Sequence, residues 1–183
     1  MNTLTIDKTK DWTVEDYLLL GEIETPCQLI NGELIMSPAP KPNHQKVSRR
    51  LFKLIDKATA GKGELFYAPI DLYIDNKNVF QPDLVYLSST NTASLTERGI
   101  EGPVDLVVEI ISPSNSYTDR NQKKKKYLEF GVTEYWIVDP ANETIEIYTP
   151  ATGQDIPVLY LSGNGRVKSN AIPSVSFELE ELF

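Results

Sequence analysis

Cysteine and histidine are almost missing from this 183-residue chain, which has one of each. With Cys27 alone, an intrachain disulfide and a zinc site built on cysteine pairs are excluded, and the scarcity fits a reducing cytoplasm. His44 lacks the partners of a zinc site, and no Gly-x-Ser-x-Gly elbow stands near it to suggest a serine-hydrolase triad. It is expected to cap its helix or contact substrate. Long apolar runs are lacking too: no stretch nears the ~18–20 residues of a membrane span. The start, Met1 to Asp7, has neither the basic nor the apolar part of a signal peptide. A glycine-rich phosphate loop is absent, and the Gly163-Asn164-Gly165 turn precedes no predicted helix. The formal net charge of −8 argues against a non-specific nucleic-acid coat, though a local basic patch stays compatible with it.

What remains is an ordinary globular composition of a length that suits one domain, 1–183. Thr13 reads as the N-cap of a short helix over 11–20. Residues 28–35 read as a hairpin about Asn31-Gly32, and the prolines of 37–42 as a connector. In 43–60, Val47, Leu51, Leu54, Ile55 and Ala58 recur at helical spacing, with Arg49, Arg50, Lys53 and Lys57 largely off that face. Segments 64–74 and 79–87 read as two strands, and a short helix is expected near 93–98. A near-continuous apolar strand follows at about 104–111, then a lysine-rich helix at about 118–130 and a strand at 135–138. Further β structure is expected at 144–148, 156–161, 166–168 and 175–179, the last as an edge strand. The central order is helix, three strands, helix, strand: an α/β (α+β) fold with a mixed β-sheet, flanking helices and an N-terminal β-hairpin.

One carboxylate, Glu109, sits deep in the apolar strand at 104–111. A buried charge costs several kcal/mol unless it is paired or coordinated. Asp83, entered through Pro82, lies in the preceding strand, and if the two strands are neighbours their carboxylates converge on one side of the sheet. Carboxylate oxygens are the ligands of hard cations, and Mg²⁺ is typically held by one or two of them plus water and phosphate. At about 100° per residue, Lys123 falls between Tyr127 and Phe130, and Lys124 between Tyr127 and Leu128. One of these lysines must enter with the helix's apolar face, while Lys125 and Lys126 fit a solvated face. Glu33, just past the hairpin turn, is either a solvent-facing residue or an extra acid near a metal.

These residues resemble a known pattern. Asn31 to Ile35, then Ser37 to Pro40 and His44, Pro82-Asp83, Val107 to Ser114, Asp119, Lys123 and Tyr127 to Pro140 stand in the order of a restriction endonuclease family of bacterial proteins. That family falls within the PD-(D/E)XK nuclease superfamily. The resemblance implies a restriction-endonuclease-like fold. It also implies Mg²⁺, with Mn²⁺ as an alternative, held by Asp83, Glu109 and the Ile110 carbonyl. The superfamily lysine stands two residues after the acid, where this chain has Ile111. The resemblance places its substitute at Lys123, with Glu33, His44, Asp119 and Tyr127 as supporting candidates. DNA is the expected substrate, no membrane is expected, and a homodimer would suit cutting both strands. The alternative is a non-cleaving module of the same fold.

Overall fold

The structure is a computed structural model describing residues 7, 9–21, 26–37, 39–112, 115–153 and 155–183. The first six residues, Pro38 of the connector and the Pro113-Ser114 break lie outside them. Helix α1 (Val14–Leu18) carries a capping box in which Thr13 and Asp16 each satisfy the other's backbone N–H. Strands β1 (Cys27–Ile30) and β2 (Glu33–Met36) form the expected hairpin. Its turn needs positive φ twice, which Asn31 (51°) and Gly32 (80°) supply.

Helix α2 (Pro42–Thr59) follows, with Pro42 in its first turn and Val47, Leu51 and Ile55 buried. The two long strands expected next are each divided at a proline, where a backbone donor is missing and the chain turns. Segment 64–74 becomes β3 (Gly63–Tyr67) and β4 (Leu72–Asp75), separated by Pro69. Segment 79–87 becomes β5 (Asn78–Phe80) and β6 (Leu84–Ser88), separated by Pro82. The helix expected near 93–98 is instead a hairpin, β7 (Ser94–Thr96) and β8 (Gly99–Glu101).

Then come β9 (Leu106–Ile110), a π-helical stretch Thr118–Lys123 continuing into α3 (Lys124–Phe130), β10 (Glu134–Asp139) and β11 (Thr144–Tyr148). Gly131 ends α3 at φ 96°, with Gly131 and Val132 N–H groups returning to the Leu128 and Tyr127 carbonyls. Strands β12 (Leu159–Ser162), β13 (Arg166–Lys168) and β14 (Ser176–Glu178) complete the chain. β14 pairs with β13 in a separate two-stranded ribbon, so it is an edge strand of that ribbon and not of the central sheet.

A six-stranded mixed sheet, ordered β12-β11-β10-β9-β6-β3, is the centre. Only β9 and β10 run parallel in it, which is why a helical crossover joins them. Along α2, β3, β6, β9, α3 and β10 the expected order appears; the other halves of the divided strands enter a second sheet, β2-β1-β5-β4-β8-β7. One face of the central sheet (Leu84, Tyr86, Leu106, Val108, Trp136) packs against α2. The opposite face (Val85, Val107, Tyr135, Ile137) packs against α3 and the second sheet's Leu72, Phe80 and Ile100. Among the described residues, no helix is long and apolar enough to cross a membrane.

Arg120 fastens the start of the third helix to this sheet. Its guanidinium donates to Glu146 on β11 and to Asp139 Oδ2 on β10, 3.3 Å away. Both carboxylates are nearly buried, while Arg120 is about a third exposed, so solvent screens part of the interaction. Arg120→Ala is expected to lower the unfolding free energy by about 2–3 kcal/mol in a urea titration, below the full penalty of a stranded buried charge. A loss under ~0.5 kcal/mol would show that this clamp does not hold the helix.

Candidate active site

The register of β6 against β9 pairs Leu84 with Val108. One step further along this antiparallel ladder sets Asp83 opposite Glu109, so both side chains project from the α3 face. The division at Pro82 therefore puts Asp83 at the mouth of β6, where it is partly exposed, while Glu109 lies at the buried end of β9.

Each carboxylate is tied down through one oxygen. Asp83 Oδ2 accepts the Ile110 N–H at 2.7 Å and lies 3.2 Å from His44 Nε2. Glu109 Oε1 accepts Lys123 Nζ at 2.9 Å and the Tyr127 hydroxyl at 2.8 Å. Asp83 Oδ1 and Glu109 Oε2 have no hydrogen bond among the described residues. Lys123 also lies 3.4 Å from Asp119 Oδ1, four residues earlier, and the Tyr135 hydroxyl donates to the Asp119 carbonyl at 2.9 Å. Five of the sequence-expected positions, Asp83, Glu109, Lys123, Asp119 and Tyr127, thus meet here, with His44 and the Ile110 main chain at the rim.

Of the two lysines that periodicity allows inward, the structure selects Lys123, which is 4% exposed. Lys124 instead sets its ammonium 4.3 Å from the Tyr148 ring centroid, and Lys126 pairs with Asp75 at 3.0 Å. Ile111 is buried against the α3 face, where a lysine would have to displace packed side chains. His44 does not cap α2: its ring turns inward to Asp83, and its buried Nδ1 makes no close hydrogen bond among the described residues. Glu33 is exposed on β2, at the edge of the second sheet, and joins nothing in the cluster among the described residues.

Burial dominates the electrostatics. It pushes the Glu109 carboxyl up to about 8: the nearby Lys123 charge pulls it down, and the Asp119 and Asp83 charges raise it further. Asp119 is raised for the same reason. Burial pulls the Lys123 ammonium down, but Glu109 and Asp119 outweigh it and hold the group above its ordinary value. In His44, likewise, the hydrogen bond and charge of Asp83, the Glu109 charge and the Ile110 carbonyl overcome burial and raise the imidazole. Tyr127 and Tyr135 are pushed well up by burial and the neighbouring carboxylates, so both remain neutral donors.

Among the described residues, no three His, Cys, Asp or Glu side chains could close around a metal ion. The donors on offer are two facing carboxylates, each with one untethered oxygen, and the adjacent Ile110 carbonyl. An all-oxygen, incomplete set of this kind fits a hard cation that keeps water and takes phosphate for its remaining positions. Sequence reasoning missed Arg120 and the Tyr135 hydroxyl. The signal for Arg120 was the one that exposed Glu109: carboxylates at 139 and 146 inside apolar strands require a cation nearby.

The family model described as "Uma2: Putative restriction endonuclease" matches residues 14–180. Among solved structures, the chain is similar to a putative nuclease belonging to DUF820 from Anabaena variabilis. It is 20% identical to that protein with a TM-score of 0.78, covering 93% of this chain and 97% of that one, which shows a shared fold. No curated protein matches.

Proposed function

The chain belongs to the Uma2 family of restriction-endonuclease-like proteins, and on that premise we propose that it is a Mg²⁺-dependent endonuclease hydrolysing phosphodiester bonds in DNA. One observation carries the reading: Asp83 and Glu109 face each other across adjacent strands with one oxygen apiece untethered, beside a buried lysine. Asp83, Glu109 and the Ile110 carbonyl would hold the cation, with Mn²⁺ able to replace Mg²⁺. When bound, the cation supplies Lewis acidity toward a phosphate oxygen and makes water a better nucleophile.

The chain's own residues do the rest. The Ile110 N–H and His44 fix the Asp83 carboxylate through Oδ2, so its other oxygen keeps one direction. Tyr127 and Lys123 do the same for Glu109 through Oε1. The Lys123 ammonium, protonated and excluded from bulk water, is placed to orient the attacking water or to offset charge growing on the phosphate. Asp119 holds the other side of that ammonium and keeps it from swinging out.

Supercoiled plasmid incubated with purified protein is expected to be nicked or linearised with Mg²⁺ or Mn²⁺ and untouched in EDTA. Asp83→Ala is expected to lower the rate by at least ~10²-fold, comparable to removing one preorganised transition-state group. Wild-type cleavage in EDTA, or full activity in Asp83→Ala, would overturn the assignment.

A further inference from the structure

The acidic chain conceals a basic surface. Segment 41–62 holds seven lysines and arginines and one acid, Asp56, in a protein whose net charge is −8. At about 100° per residue, Lys46, Arg49, Arg50, Lys53 and Lys57 fall within one sector of roughly 100° along α2. All five are exposed, on the side opposite buried Val47, Leu51 and Ile55. They recur about once per turn over ~16 Å of helix. Among the described residues, the side chains of Lys46, Arg49, Lys53 and Lys57 make no ion pair or hydrogen bond. Arg50 reaches only the main-chain oxygens of Leu182 and Phe183.

Elsewhere among the described residues the cations outside segment 41–62 are engaged, except Lys168. The lysine-lined groove outside α3 is the rival surface, but Arg120, Lys125 and Lys126 there each have a carboxylate partner, and Glu129 and Asp155 share the lining. The stripe on α2 has a further qualification: it begins two residues past His44, whose ring touches Asp83 from the same helix's inner face.

We infer that the outer stripe of α2 is the surface on which the phosphate backbone of duplex DNA lies when it enters the site. This rests on the nuclease reading and extends it: the affinity comes from a row of cations, four of them without a partner among the described residues, on the helix whose His44 reaches Asp83, and the acidic remainder of the molecule leaves that row as the favourable approach. The contacts are to phosphate, so the surface sets position and affinity without sequence preference.

The test is a titration of a fluorescein-labelled 20-base-pair duplex by fluorescence anisotropy in EDTA, across a KCl series. With four or five phosphate contacts, log K should fall against log salt with a slope of about −4. The triple variant Lys46→Glu, Arg49→Glu, Lys53→Glu should flatten the slope by about 3 and weaken binding several hundredfold near 0.1 M salt. A control of equal net charge, Lys10→Glu, Lys125→Glu, Lys168→Glu, should lose less than tenfold. Thermal melting checks that both variants fold. Equal losses in the two triple variants, a wild-type slope near zero, or no wild-type binding would overturn the proposal. Adding Mg²⁺ and plasmid separates it from the nuclease reading. Tight α2-dependent binding without cleavage sinks only the latter, and cleavage by the α2 variant at wild-type KM sinks only the former.

Discussion

Lys123→Met is expected to slow Mg²⁺-dependent cleavage by about 10²–10³-fold, with DNA binding in EDTA largely unchanged. The rate loss is the scale measured when one preorganised charge-stabilising group is removed from an active site. Binding survives because Lys123 is 4% exposed and contributes nothing to an outer phosphate surface. Stability should change as well: Glu109 and Asp119 lose the cation they share, and stranding a buried charge costs about 3–5 kcal/mol unless the carboxyls take up protons. The decisive companion is the double variant Ile111→Lys, Lys123→Met. Ile111 stands two residues after Glu109, on the same face of the sheet. If the amine matters for where it reaches and not for which element carries it, a lysine at 111 should recover part of the activity, at least tenfold above Lys123→Met. A double variant that melts within a few degrees of the single one yet recovers nothing would mean that the helix supplies more than an amine.

That relocation also marks what the sequence could reveal. Helical spacing limited the inward lysine to 123 or 124, and the resemblance chose 123; spacing alone could not, because a π-helical stretch over Thr118–Lys123 changes the angular step just before the lysine. Such a stretch leaves no sequence signature. Asp83 and Glu109 were legible as a pair because strand alternation puts acids at matching register positions on one face. The divided strands were not: Val79 to Leu87 is uniformly apolar apart from Gln81 to Asp83, and nothing in its pattern says that Val79 and Leu84 join different sheets. Pro82 was the available signal, and it also explains why Asp83 sits at a strand mouth open to substrate. The short helix expected near 93–98 is a hairpin in the structure, and Gly99 at φ 136° shapes the close approach of β8 to the Asp71 carbonyl. The basic stripe was visible as four residues off the apolar face, yet its weight depends on those side chains lacking carboxylate partners.

Two pH dependences of opposite sign provide the second large effect. Burial holds the Glu109 carboxyl at about 8, so below that pH a proton occupies the group the cation needs. At Mg²⁺ below saturation, cleavage should therefore rise about tenfold per pH unit from pH 6 and level off above about pH 8. Folding without metal should run the other way. A carboxyl whose folded pKa lies above its unfolded one binds more protons in the folded chain, so its stabilisation is complete below about 4.5 and is lost as pH rises to about 8. Asp119 and His44 are raised too and add in the same direction, starting from their own lower or middle ranges. Lys123 is held above its ordinary value, so its contribution disappears only in the alkaline range beyond this window. The depressed carboxyls, Asp7, Asp16, Asp75 and Asp139, act below the ordinary carboxylate range and leave this window untouched. Urea titrations in EDTA should thus show the unfolding free energy dropping by a few kcal/mol between pH 5 and 8 while cleavage in limiting Mg²⁺ increases. Glu109→Gln should abolish most of both slopes, since glutamine neither titrates nor offers the cation a charge. A wild-type unfolding free energy that is level across pH 5 to 8 would show that Glu109 is ionised throughout, and the rise in cleavage would then need another titrating group.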